Sequence, residues 1–144
     1  LHYRFVITLD VNQEALTSDQ QLAEGRFDNI VRLVNDSQKA DGVIALRFVD
    51  EREIHKLNRM YRGKDSVTDV LSFSYMHDPG ELLGDVAICY AQAERQAPNG
   101  ASDEVSMLIV HGILHVLGYD HEVSEDAEKM FQIQDDIVDK VLVV

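Results

Sequence analysis

The chain has 144 residues, of which 45% are hydrophobic and 27% charged, values typical of a globular domain that can bury a sizeable core. We therefore predict one domain over residues 1–144. No apolar run approaches the roughly 20 residues that cross a bilayer, and no secretory signal pattern is recognisable, which argues against a membrane protein. The single cysteine, Cys89, excludes an internal disulfide and is typical of a reducing compartment, so we expect a cytoplasmic location.

The net charge of −13 weighs against a generic nucleic-acid binder, because phosphate contacts need Lys and Arg. The charge is unevenly distributed, however, because five of the thirteen basic residues lie within positions 52–64. These are Arg52, Lys56, Arg59, Arg62 and Lys64. The local field matters more than the total charge when a substrate is attracted, so RNA remains a possible ligand.

The first half of the chain predicts alternating strands and helices. Residues 2–10 alternate apolar and polar side chains, which predicts a strand, and Ser18 can open a helix after it. The β-rich run over 42–50 predicts a second strand. Asp50 and Glu53 resemble a capping box at the start of the next helix. The expected buried stripe of that helix consists of Ile54, Leu57 and Tyr61.

The second half predicts two further strands and a short helix, over 68–75, 82–89 and 90–97. Ser102 can cap a longer helix, and Gly118 suits the left-handed position that would end it. A final amphipathic helix from Ser124 places Met130 and Phe131 in the core. The mixture predicts an α+β fold, with a small mixed sheet of about four strands packed with helices.

Three of the six histidines lie in one short segment, HGILHVLGYDH, over 111–121. His111 and His115 are four residues apart on a predicted helix, so their rings share one face, and the turn at Gly118 can return His121 toward them. Three neutral imidazoles with zinc–nitrogen distances of about 2.0–2.1 Å fill three positions of a tetrahedral zinc site. The fourth coordination position is left for water, as in catalytic sites. A lone histidine is more often a core or capping residue, but this spacing favours a metal. We predict one zinc ion per chain on these three residues, at the end of a central helix.

The same spacing is used by a large group of zinc proteases, which place a glutamate directly after the first histidine. That glutamate is the general base, and here its position is Gly112, which cannot accept a proton. Zinc still lowers the pKa of a bound water toward about 7, so hydrolysis remains possible. Peptide cleavage by the usual protease route is not expected.

A second candidate feature is the basic segment Arg62-Gly63-Lys64, between a predicted helix and a predicted strand. A guanidinium group matches two phosphate oxygens and stabilises the charge that develops during phosphoryl transfer. The Gly-Lys pair is not a P-loop, because the spacing is absent and Asp65 follows the lysine. Composition alone leaves open a solvated basic face on which Arg62 pairs with a carboxylate.

The two features together resemble the YbeY family of bacterial endoribonucleases. The matching segments are LNRMYRGKDSVTDVLSF over 57–73, LGDVAI over 83–88 and HGILHVLGYDH over 111–121. They follow the family order through most of residues 44–121. Two departures are visible: Ser74 stands where the family commonly has proline, and Val116 replaces a frequent leucine.

The resemblance implies a zinc-dependent, single-strand-specific endoribonuclease that acts in 16S rRNA 3′-end maturation and ribosome quality control. Single-stranded RNA, above all rRNA in ribosomal subunits, would be its partner. By matching positions, the histidine triplet would bind the metal and Arg62 would be the catalytic arginine. Apart from the resemblance, the charges of Arg59, Lys64 and Lys56 are expected to guide the RNA backbone. Asp120 is expected to orient an imidazole. Bases could stack on an aromatic residue, although the candidates are also typical of a core: Tyr61, Phe73 and Tyr119.

Two other functions remain compatible with the sequence. One is a peptidase that uses another group as its base, against which Gly112 weighs. The other is a non-catalytic, metal-dependent ribosome assembly factor in which zinc only orders the histidine segment. An open zinc position favours catalysis over this second alternative.

Overall fold

The computed structural model describes residues 5–75, 78, 80–120, 122 and 124–142. Within them the chain forms four strands and five helices. In chain order these are β1 (Ile7–Asn12), α1 (Glu24–Ser37), β2 (Gly42–Phe48), α2 (Glu51–Arg62), β3 (Val70–Ser74), β4 (Leu82–Ile88), α3 (Tyr90–Gln96), α4 (Ala101–Val116) and α5 (Ser124–Leu142). The start of the first predicted strand, residues 2–4, lies outside the described residues.

The strands form one mixed sheet in the order β1-β2-β4-β3. Strand β2 runs parallel to both of its neighbours, while the edge strand β3 is antiparallel to β4, with Phe73 opposite Asp85. Parallel neighbours need a crossover helix, which α1 provides between β1 and β2. This architecture confirms the predicted α+β class and the four-stranded mixed sheet.

The main core lies between one face of the sheet and the helices α1, α4 and α5. Helix α4 is at its centre, since nine of its sixteen residues are buried. Met130 of α5 is completely buried in this core, as predicted. No described helix is both long and apolar enough to cross a lipid bilayer.

A smaller apolar cluster lies on the opposite face of the sheet, where Ile54 of α2 packs with Leu71 and Ala87. Neighbouring strand residues point to opposite faces, and the Ser72 hydroxyl contacts α4. Leu71 and Phe73 therefore point toward α2. The edge strand β3 thus lies between α2 on one side and α4 on the other.

Two helix starts differ from the prediction. Helix α1 begins at Glu24 instead of Ser18, because residues 13–22 form turns in which the Gln13 side chain bonds both backbone groups of Leu22, at 2.8 and 3.2 Å. Helix α4 is preceded by Gly100, without a side-chain cap. Ser102 was expected to be that cap, but it already lies inside the first turn.

Two aromatic residues that were expected in the core lie at the surface instead. Tyr61 is 62% exposed, because α2 ends one residue later and only its earlier turns pack on the sheet. Phe131 is 42% exposed, and its ring stacks on that of His111, with ring centroids 6.1 Å apart. Helical spacing gave the correct side of each helix but not the point at which the core ends.

Candidate active site

A cleft of about 540 Å³ opens beside the last turns of α4, at the edge strand β3. It brings together parts of the chain that are distant in sequence: the end of α2, strand β3, helix α4 and the turn that follows it. The lining residues are Arg62, Thr68, Asp69, Val70, Ser72, His111, His115, Gly118, Tyr119, Asp120 and Glu122. The predicted catalytic arginine, Arg62, therefore shares this cleft with two of the predicted metal ligands, His111 and His115.

His111 and His115 are half-buried in the cleft, with ring centroids 5.1 Å apart and ring planes at 67°. The Nδ1 atom of His111 lies 2.7 Å from the Oε1 atom of Gln134 on α5. Because an amide oxygen can only accept a hydrogen bond, Nδ1 is the nitrogen that carries the hydrogen. In the neutral ring the lone pair is then on the other nitrogen, Nε2, which is the atom that could ligate a metal.

Gln134 was not found from the sequence, although a signal was present. The buried residues of α5 are Met130, Gln134, Ile137 and Val141, which form one stripe at helical spacing. Gln134 is the polar member of this stripe and only 5% exposed. A buried amide needs a hydrogen-bond partner, so its position in an apolar stripe predicts a polar group opposite it.

The zinc site on three imidazoles stays a prediction, although the two described imidazoles are of the ligand type that zinc prefers. The described residues supply two of the three predicted ligands, and His121 lies outside the described residues. Among the described residues alone, no cluster of three or more His, Cys, Asp or Glu side chains could hold a metal ion. Asp120 Oδ1 accepts a hydrogen bond of 2.9 Å from the backbone N–H of Glu122. That Asp120 orients an imidazole stays a prediction.

Gly112 occupies the position of the protease base, and its surroundings leave no room for a side chain. A Cβ atom there would lie 2.6 Å from Cγ1 of Val86 and 3.3 Å from the Ser72 hydroxyl. That hydroxyl donates to the Gly112 carbonyl at 3.2 Å, so α4 and β3 are in direct contact here. The close packing between helix and sheet thus leaves no space at this position for the side chain of a base.

The two departures from the family pattern also lie in the contact between α4 and the sheet. The Ser74 hydroxyl donates to the carbonyl of Val116 at 2.9 Å, which satisfies one of the free carbonyls at the helix end. The Val116 side chain faces Gly84, where an added Cβ would lie 2.8 Å from it. Both residues hold the end of α4 against the sheet.

The end of α2 and the loop after it are fixed by buried and charged contacts. Gly63 adopts a left-handed conformation with φ of 68°, which ends the helix directly after Arg62. Asn58 is 2% exposed, and its Nδ2 donates to the carbonyl of Ser66 at 2.9 Å. His55 Nε2 lies 2.6 Å from Asp65 Oδ1. These contacts hold the loop that carries Arg62 to the edge of the cleft.

The lysine and arginine side chains of α2, and Lys64 after it, form no ion pair with a described acidic residue. None of the ion pairs between described residues involves Arg59, Arg62 or Lys64. The alternative of a solvated basic face thus lacks, among the described residues, the carboxylate that was expected to pair with Arg62. Arg59 lies along a separate groove on α2, and Lys64 is not among the residues that line the cleft.

Comparison with known proteins identifies the family. The model of the family described as endoribonuclease YbeY matches residues 8–142. This chain belongs to the endoribonuclease YbeY family. Endoribonuclease YbeY of Ureaplasma parvum is 38% identical over 95% of this chain and 91% of its own length. That of Clostridioides difficile is 36% identical over 94% of this chain and 95% of its own.

A solved structure of a protein of similar length has the same fold. The solution structure of TM1509 from Thermotoga maritima superposes with a TM-score of 0.63 at 29% identity, covering 93% of this chain and 89% of that protein. Membership in the YbeY family confirms the resemblance drawn from the three sequence segments. It also confirms the predicted class of enzyme, a nuclease that hydrolyses phosphodiesters.

Proposed function

We propose that this protein is a zinc-dependent endoribonuclease that cuts single-stranded RNA during 16S rRNA 3′-end maturation and ribosome quality control. Its proposed location is the cytoplasm, where ribosomal subunits would present the substrate. The observation that supports the proposal is a single cleft that contains two half-buried imidazoles and an arginine without a described carboxylate partner. Family membership supports the nuclease class.

In this proposal zinc would be held by His111, His115 and His121. The contact with Gln134 would keep the hydrogen of neutral His111 on Nδ1, so that Nε2 would be the ligating nitrogen. When bound, zinc supplies a Lewis acid and lowers the pKa of coordinated water. Because a ligating imidazole must be neutral, zinc affinity should fall as the medium becomes acidic.

Arg62 would bind the scissile phosphate and offset the negative charge that grows on it. A guanidinium group can donate two parallel hydrogen bonds to phosphate oxygens. With no described carboxylate paired to it, the group does not have to break an ion pair before it binds RNA. Arg59 and Lys64, on or just beyond the same helix, would raise the local concentration of phosphate in a chain whose net charge is −13.

A single-strand preference follows from the depth of the histidines. Both rings are half-buried, so the scissile phosphate must enter the cleft to reach them. A flexible single strand can do so while its bases turn outward. The peptidase alternative would need a base at a position other than 112, because the space next to Gly112 is filled by Val86.

The decisive experiment combines metal analysis with RNA cleavage. We expect purified wild-type protein to contain zinc and to cut a labelled single-stranded RNA in preference to its duplex. The His115→Ala variant should lose both zinc and cleavage, while His2→Ala, which removes a histidine outside the motif, should keep both. A metal-free protein that cuts both RNAs equally would refute the mechanism. Wild-type protein that binds zinc but cuts no RNA would instead indicate the assembly factor.

A further inference from the structure

Tyr61 is a large aromatic side chain that the fold leaves open to solvent. It is 62% exposed, and its ring meets that of Phe73 edge to face, with centroids 5.3 Å apart and ring planes at 70°. Phe73 is itself packed against the small apolar cluster below α2. Tyr61 is therefore supported from one side while much of its surface is free to contact a ligand.

The position of this aromatic pair relative to the cleft is fixed by chain connectivity. Tyr61 directly precedes Arg62, and Phe73 directly follows Ser72, and both of these neighbours line the cleft. Successive strand residues point to opposite faces, so Phe73 lies on the α2 side of the edge strand and Ser72 on the α4 side. The Tyr61–Phe73 pair thus lies immediately across β3 from the histidines.

The segment around Tyr61 is cationic, because Arg59, Arg62 and Lys64 lie within three residues of it in sequence. None of the three forms an ion pair with another described residue. Proteins that bind single-stranded nucleic acid combine cationic side chains along the phosphate backbone with aromatic rings on which unpaired bases stack. An apolar protein partner would not need these charges, so the charge pattern favours RNA as the occupant.

We propose that Tyr61, supported by Phe73, stacks an unpaired nucleobase of the RNA next to the phosphate bound by Arg62. This inference rests on the proposed function and adds a base-binding subsite to it. The subsite strengthens the preference for single strands, because a paired base cannot leave its duplex to reach the ring without the cost of unstacking. It should accept any of the four bases, because each has a π-face.

The test compares variants that keep or remove the ring. Tyr61→Leu removes it, and Tyr61→Phe keeps it without the hydroxyl. Met60→Ala is the matched control, because Met60 is a similarly exposed neighbour, 59% exposed, without a ring. Zinc content of each variant shows that the metal site is intact. The substrates are a short labelled single-stranded RNA and a series of the same RNA in which one nucleotide at a time lacks its base.

We expect Tyr61→Leu to raise KM by about five- to 150-fold, the effect of one lost base–aromatic stack, with little change in kcat. Tyr61→Phe and Met60→Ala should behave like wild type. In the wild type, one abasic position should raise KM by a similar factor. In Tyr61→Leu that abasic penalty should disappear, because the base no longer has a ring to stack on.

Three results would overturn the inference: an unchanged KM in Tyr61→Leu, an equal loss in Met60→Ala or Tyr61→Phe, or the same abasic penalty with and without the ring. An active wild type with any of these results would leave the proposed nuclease function standing. A wild-type protein that cuts no RNA would refute both proposals, and that result is obtained before any variant is compared.

Discussion

Helices α4 and α2 both end at the cleft, but they are built in opposite ways. Helix α4 buries nine of its sixteen residues, whereas α2 buries only Ile54 and Asn58 among twelve. A metal site needs ligands at fixed distances, which a rigid, enclosed helix provides. A polymer substrate needs accessible charges, which an exposed helix provides. The two proposed tasks of the cleft are therefore divided between its two walls.

The two helices are also anchored differently. Helix α4 is held by close approach to the sheet at Gly112 and at Gly84, where a Cβ would lie 2.8 Å from Cγ1 of Val116. Helix α2 is fixed mainly at its ends, by the Asp50 cap that accepts from the Glu53 N–H at 2.8 Å and by Gly63. Substitutions on α2 should therefore change RNA binding and cleavage more than the free energy of unfolding. Substitutions on α4 should change the free energy of unfolding more.

The largest expected effect is that of Arg62→Ala on RNA cleavage. Removal of one group that stabilises transition-state charge typically lowers kcat by about 100- to 1,000-fold. Zinc content and the free energy of unfolding should stay near wild type, because Arg62 is exposed and has no described ion-pair partner. The measurements are single-turnover cleavage of a labelled RNA, metal analysis and urea denaturation.

The matched control is Arg52→Ala, at the opposite end of the same helix and also exposed. It removes the same charge from the protein without reaching the cleft lining, so it should reduce cleavage far less. An equal loss of cleavage in the two variants would mean that Arg62 acts only through its contribution to the electrostatic field of the protein. Loss of zinc in Arg62→Ala would contradict the division of tasks between the two helices.

The next effect concerns the support of His111. We expect Gln134→Leu to weaken zinc binding by about 10- to 100-fold, because the hydrogen bond that fixes the ring orientation and tautomer is lost. Competition with a chelating dye measures this affinity directly, without RNA. Gln132→Leu, an exposed glutamine two residues earlier on α5, is the control. Unchanged zinc affinity in Gln134→Leu would show that the contact does not position a ligand.

A third, smaller effect tests the packing of α4. Gly112→Ala should lower the free energy of unfolding by about 1–3 kcal/mol, because the added methyl group overlaps Val86. Gly25→Ala in α1 should have the opposite sign, since nothing lies within 4 Å of that Cβ and alanine favours helices by roughly 0.5–1 kcal/mol. Urea denaturation measures both. A Gly112→Ala protein as stable as wild type would mean that the helix can move away from the sheet.

Much of the fold could be predicted because it depends on local patterns. Alternation of apolar residues located the strands, and the Asp50–Glu53 pair correctly marked the start of α2. The exposure of Tyr61 and Phe131 could not be predicted, because it depends on where the sheet ends below each helix. Helical periodicity defines a face of a helix, not the length of that face that the rest of the protein covers.

The candidate site shows the same limit. Helical spacing alone predicts that His111 and His115 lie side by side, and the structure confirms it. The position of Arg62 beside them, across the edge strand, followed only from the family resemblance, because no local pattern relates α2 to α4. Gln134 was missed because its partner lies on another helix. Contacts between elements require the three-dimensional arrangement.

The smallest expected effect concerns the ionisation of Tyr75, on the α2 side of the sheet. The hydrogen bond that the Tyr75 hydroxyl donates to Asp85, together with partial burial, raises the pKa of Tyr75 to about 12. The folded protein thus favours neutral Tyr75, and this small contribution to stability is present below about pH 10, the usual tyrosine pKa. It is lost as the pH rises through about 12.

Alkaline titration of tyrosinate absorbance would detect this group as a late ionisation. Tyr75→Phe should remove that ionisation, and Asp85→Asn should move it to lower pH, because the hydrogen bond to Asp85 is the largest cause of the raised pKa. An ionisation that stays in place in Asp85→Asn would show that burial dominates instead. Either substitution should leave zinc affinity unchanged, because neither residue lines the cleft.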